Sequence, residues 1–145
     1  MKVRPALLLI ENNHVLLMQY HYGEADVFAL PGGNPDKGET LDLTLIRELQ
    51  EELGLDVEIG PVAFAGEVIM PGAKEDVLHL VFVGQIVGGL PKLNPEHTTA
   101  LAVVWKPISE LHQLNMYPNV GQQAQRWLLS RPNLDYIGKI DQRFF

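Results

Sequence analysis

Two aliphatic runs open the chain, Ala6 to Ile10 and Val15 to Tyr20, separated by the polar stretch Glu11-Asn12-Asn13-His14. Turn-forming residues between apolar runs predict a strand hairpin. A further short strand is expected ahead of Pro31, followed by a loop at Pro31-Gly32-Gly33-Asn34-Pro35. From Thr40 to Leu53 the apolar positions recur with helical period, Thr40 standing where an N-cap belongs and Gly54 where a helix stops. Leu55 to Met70 and Val77 to Val87 read as longer strands joined through Pro71-Gly72-Ala73-Lys74, and Leu101 to Trp105 as one more, inner strand. After Pro107 come a short helical turn through Leu111 and a second amphipathic helix around Val120 to Leu129, with Val120, Ala124, Trp127 and Leu128 sharing a face. The expectation is a sheet-rich middle with two helices, and no internal repeat.

The first helix has an unusual polar side. Glu48, Glu51 and Glu52 fall within an arc of roughly 100 degrees, while Leu45, Ile46, Leu49 and Leu53 occupy a different arc. A solvated charged face is the ordinary explanation of exposed glutamates. Two costs weigh against it here. Glu48 with Glu51 and Glu48 with Glu52 are like-charge neighbours, each pair worth about 0.2–0.5 kcal/mol of repulsion. All three also crowd the C-terminal half, where the helix dipole disfavours anions by about 0.3–1 kcal/mol. A hard divalent cation removes both penalties, and oxygen-only ligation points to magnesium or manganese over zinc.

Composition narrows the partners. At 145 residues with 46% apolar content, the chain suits one domain, 1–145, with its own core. No cysteine is present, which excludes disulfides and thiolate chemistry and suits a reducing, cytoplasmic setting. The apolar run after Lys2 and Arg4 is too short for a signal-peptide core or a membrane span. A net charge of −7 and a pI near 5.1 disfavour nucleic acid polymers, whereas a small phosphate compound can bind if cations mediate.

Read outward from the glutamates, Gly33-Asn34-Pro35-Asp36-Lys37-Gly38-Glu39 through Arg47-Glu48-Leu49-Gln50-Glu51-Glu52-Leu53-Gly54-Leu55 resembles the Nudix box in full, from Gly33 to Leu55. Phe28-Ala29-Leu30-Pro31-Gly32-Gly33 resembles the family's usual lead-in. The resemblance implies an α/β fold, an α/β/α sandwich with a mixed sheet and helices on both sides. It implies a hydrolase that uses Mg2+, or Mn2+, to cut a diphosphate linkage in a nucleoside diphosphate derivative, ADP-ribose-like or a nucleoside triphosphate. By the same resemblance Glu48, Glu51, Glu52 and the Gly33 carbonyl become metal ligands, Glu39 a supporting acid, and Glu48 the first choice of base with Glu52 beside it. Arg47 would orient the glutamates, a role that also follows from its place one turn before Glu51. Dimerisation is common in the family, so a homodimer is a further expectation.

The chain departs from the pattern at two places. Where many relatives carry a further acid, three residues before Trp105, it has Ala102, leaving Glu96, Glu75 and Asp76 as candidate substitutes. Where an arginine commonly follows the second strand it has Tyr20, with Arg4 as a candidate replacement. Arg4, Tyr20 and Phe28 are the candidate substrate-binding residues, although aromatic residues more often pack in the core. His21, His79 and His97 read as ordinary loop or strand residues. Pro71, sixteen positions after Leu55, resembles a marker of ADP-ribose-cleaving members. The competing readings are a catalytically silent Nudix-fold nucleotide sensor or interaction module, and a structural protein with a merely acidic helix face.

Overall fold

The computed structural model describes residues 1–145. β1 (Lys2–Glu11) and β2 (His14–Tyr22) form the expected hairpin. Asn12 and Asn13 both lie at positive φ, 50° and 60°, as a two-residue hairpin turn demands. β3 (Ala25–Ala29) returns antiparallel along β2. Next come α1 (Leu41–Leu53), β4 (Asp56–Val68), β5 (Val77–Gly88) and β6 (Ala102–Pro107). A 3-10 turn at Ile108–Gln113, α2 (Gly121–Ser130) and β7 (Asp135–Lys139) complete the chain.

Seven strands join in one mixed sheet of order β3-β2-β1-β5-β4-β7, with β6 on the other edge of β2. β1 runs parallel to β5, β5 antiparallel to β4, and β4 parallel to β7. β1 and β2 are paired only near their turn, at Ile10–Val15 and Glu11–His14. Beyond that point the vacated edge of β1 is taken by the loop after β3. The Leu7 amide donates to the Pro31 carbonyl at 2.8 Å, and the Gly33 amide to that of Pro5 at 3.4 Å.

The uninterrupted apolar runs of β1 and β2 exist because both sheet faces are covered. Ala6, Leu8, Val15 and Leu17 pack with Phe64, Val81 and the α2-side residues Val120, Ala124 and Trp127. Their alternates Leu7, Leu9, Leu16 and Met18 pack with Leu45, Leu49 and Leu53 of α1. Helices therefore lie on both sides of the sheet, as the resemblance implied.

Four details differ from the expectations. β6 hydrogen-bonds only to β2 and so is an edge strand rather than an inner one. β7 has no counterpart among the expected elements. Thr40 takes the extended N-cap conformation, but its side chain caps no backbone amide and instead donates to Asp42. Ile46 stays 41% exposed at the margin of the buried stripe, and Thr44 is buried in its place. No helix is long and apolar enough to cross a membrane.

Candidate active site

The site is assembled where the loop Pro31–Gly33 passes between β1 and the second half of α1. Gly54, at φ 66°, ends the helix in the left-handed region and returns its amide to Gln50. The segment after β5 then docks on the same helix end, Asn94 donating to the Glu52 carbonyl at 2.9 Å and Lys92 to that of Leu53 at 3.0 Å. A Cβ on Gly33 would overlap the Glu48 carboxyl group, so only glycine lets the loop backbone lie against that side chain.

Arg47 spans the acidic cluster. Its Nε and Nη2 donate to the two oxygens of Glu39 at 2.8 and 2.9 Å, a fork geometry that lysine cannot reproduce. Nη1 donates to Glu48 Oε1 at 3.1 Å and to Glu51 Oε2 at 3.3 Å, and Nη2 also reaches the Asn34 carbonyl at 3.2 Å. Glu39 is fixed from its other side by the Thr44 hydroxyl at 2.7 Å and the Asp36 amide at 3.1 Å. Arg47 first, then Thr44, hold the Glu39 carboxyl down at about 2, and Glu39 in turn holds the Arg47 proton more tightly than usual.

Glu52 is the exception in the cluster: it makes no ion pair, and Arg47 does not reach it. Burial, and then the Glu48 carboxylate within hydrogen-bond reach, push its pKa well above the ordinary carboxylate range. Glu51 has a further distant neighbour in His97 Nδ1 at 3.9 Å. No three acidic or histidine side chains converge on one point as a finished cation cage, because Glu48 and Glu51 turn their oxygens to Arg47.

The candidate substrate residues separate. Arg4 is exposed, and its guanidinium is near enough to influence Glu52 and Tyr20. Burial raises the pKa of the Tyr20 hydroxyl, and the side chain of Thr98 partly offsets this. Phe28 is not brought to the cluster: it is 7% exposed within the α2-side core, and Lys106 Nζ lies 5.2 Å from its ring centroid. A ring wedged in the core with the Lys106 ammonium over its face is already in use, so its role is structural. Of the acids outside the box, Glu75 is engaged by the N-terminal amine at 3.0 Å and Asp76 by the Met70 amide at 2.9 Å. Glu96 belongs to the segment docked beside Glu52. Thr44, Asp36 and the Asn34 carbonyl carry no signal in the sequence, since their contribution lies in how they hold Glu39 and Arg47.

A sequence profile of the NUDIX domain matches residues 1–128. The chain belongs to the NUDIX domain family. Solved structures share the fold at low identity. An ADP-ribose pyrophosphatase from Streptococcus suis is 21% identical with a TM-score of 0.70, the match covering 93% of this chain and 98% of that one. A MutT NUDIX hydrolase from Burkholderia pseudomallei is 23% identical with a TM-score of 0.70, over 86% and 95%. A curated relative from Encephalitozoon cuniculi, belonging to a V-type proton ATPase, is 31% identical over 100 residues. That match takes in 65% of this chain, which spans only 20% of the relative's length.

Proposed function

We propose that this chain, working as one domain over 1–145, is a Nudix hydrolase that cuts a diphosphate linkage in a nucleoside diphosphate derivative in the cytoplasm. The observation that carries the reading is Glu52, a half-buried carboxylate that makes no ion pair, set beside Glu48, whose own carboxyl lies against Gly33. Such a pair is costly unless a cation neutralises it. The donor set is hard oxygen throughout, which fits Mg2+ or Mn2+. Glu48, Glu51, Glu52 and the Gly33 carbonyl would hold it, Glu51 giving up its 3.3 Å contact with Arg47 to do so.

When bound, the cation would polarise phosphoryl oxygens and lower the pKa of the attacking water. The residues supply the rest. The Glu48/Glu52 pair takes the water's proton, with Glu48 as base because Arg47 fixes its orientation. Glu39 keeps Arg47 in place and is a poor base, since a carboxylate held at about 2 has little affinity for a proton. Of the acids outside the box, Glu96 is the candidate to stand in for the one that Ala102 lacks. Arg4 and Tyr20 meet the substrate beside Glu52.

ADP-ribose and nucleoside triphosphates are the substrates to try first, the former because the Streptococcus suis neighbour is an ADP-ribose pyrophosphatase and the latter because of the MutT neighbour. Purified protein, with magnesium and then with chelator, is screened against both classes, dinucleoside polyphosphates and nucleotide sugars, alongside Glu52→Gln. Metal-dependent cleavage reduced about 100-fold or more in the variant is expected. Nucleotide binding without cleavage by the wild type would favour a sensor.

A further inference from the structure

One polar side chain on the α2-side face of the sheet is buried and has no partner. His79, on β5, is 3% exposed, and neither Nδ1 nor Nε2 makes a hydrogen bond. Buried ring nitrogens are nearly always paired, so a histidine retained here in place of an apolar residue calls for a use. By register it lies between Arg4 of β1 and Gly66 of β4, and along its own strand between Val77 and Val81. Gly66 offers no side chain, and the space beside it is filled by Ile137. The only charged neighbour in that row is therefore Arg4.

Arg4 ties this position to the acidic cluster. Its charge influences Glu52 and Tyr20 on one side, and His79 and Tyr117 on the other. Burial first, and then Arg4, keep the imidazole neutral by holding its pKa down at about 4. A neutral ring has one donor and one acceptor and suits an uncharged polar group, not a phosphate. Tyr117 also lies within the influence of Arg4. Its hydroxyl donates only to the thioether of Met70, at 3.2 Å, a weak acceptor, and its ring meets Phe144 edge-on at 6.3 Å.

We propose that His79 is a specificity-determining residue: its ring hydrogen-bonds the polar edge of a nucleobase that enters past Tyr117, with Arg4 between base and glutamates to receive the phosphate. The assignment rests on the hydrolase reading for the substrate class, but its test does not require turnover. An apolar residue here would pack equally well and could not read a base. The same orphaned nitrogens that make His79 poor for packing make it selective, because a ligand that pairs them is rewarded and one that cannot is not.

The test is calorimetric binding in the presence of chelator, with AMP, GMP, CMP and UMP against ribose 5-phosphate, for wild type, His79→Leu and His79→Gln. The wild type is expected to bind at least one nucleotide more tightly than ribose 5-phosphate. The leucine variant should lose about tenfold in that nucleotide's affinity, the worth of one hydrogen bond, while ribose 5-phosphate binding and melting temperature hold or improve. Glutamine, which keeps a donor and an acceptor, should recover most of the loss. Absence of any base preference in the wild type overturns the proposal, as does a leucine variant that melts lower with its preference intact. Base preference in a protein that cleaves nothing refutes the hydrolase reading and leaves the role of His79 standing.

Discussion

At the scale of single residues, Arg47 and His79 show opposite ways of placing a polar group. Arg47 satisfies its donors with Glu39, Glu48, Glu51 and the Asn34 carbonyl, and so fixes the shape of the cluster. His79 satisfies none. Its folded pKa of about 4 lies below the ordinary 6.5, so under pH 6.5 the unfolded chain takes up a proton that the folded one refuses. The His79 contribution is complete above about pH 6.5 and declines toward pH 4, by at most about 3 kcal/mol, while Glu52, whose folded pKa is raised, moves stability the opposite way as pH falls. Glu39, held at about 2 against an ordinary 4.5, adds its own loss only below about pH 4.5. Urea unfolding of wild type and His79→Leu at intervals between pH 7.5 and pH 4 isolates the His79 contribution: the variant should gain stability relative to the wild type as pH falls. Parallel curves for the two proteins would show that His79 contributes none of the pH dependence. The box glutamates were legible because their spacing is fixed on one helix. His79 was not, since its burial and lack of partners depend on strands far apart in sequence.

At the scale of elements, the feature that matters is the close approach of the Pro31–Gly33 loop to α1. Gly33→Ala is expected to fold, because the atoms a Cβ meets belong to the flexible Glu48 side chain, at a cost of about 1–3 kcal/mol. Displacing that carboxyl should lower activity more than tenfold, read by assaying kcat and thermal melting on the same preparation. Activity that survives would show that Glu48 works from a position other than the one it takes against Gly33. α1 was legible from its period and from Gly54, and α2 from the face shared by Val120, Ala124 and Trp127. β7 was not: Asp135–Lys139 lacks an alternating pattern and owes its extension to pairing with β4. The edge position of β6 was hidden for a related reason, since half-buried apolar residues look alike on edge and inner strands.

At the scale of the whole molecule, the proposed function has a protein of net charge −7 take an anionic substrate. Long-range repulsion should slow association, and salt should relieve it. With magnesium saturating, kcat/KM is expected to rise about two- to fivefold as NaCl goes from about 20 to about 200 mM. A fall would mean that Arg4 and its neighbours dominate the approach path. The mixed order of the sheet was legible only through the family resemblance, because the hairpin pattern says nothing about β1 running parallel to β5. Nor does it reveal that β1 shares one edge between β2 and the Pro31–Gly33 loop. That shared edge has a dynamic cost and benefit. With the Leu7 amide bonded to Pro31, the wall of the proposed reaction centre is also a rung of the central ladder. The loop has no private way to fray, and its protection against hydrogen exchange should match that of the core strands. Heat that disables the centre must first melt the sheet.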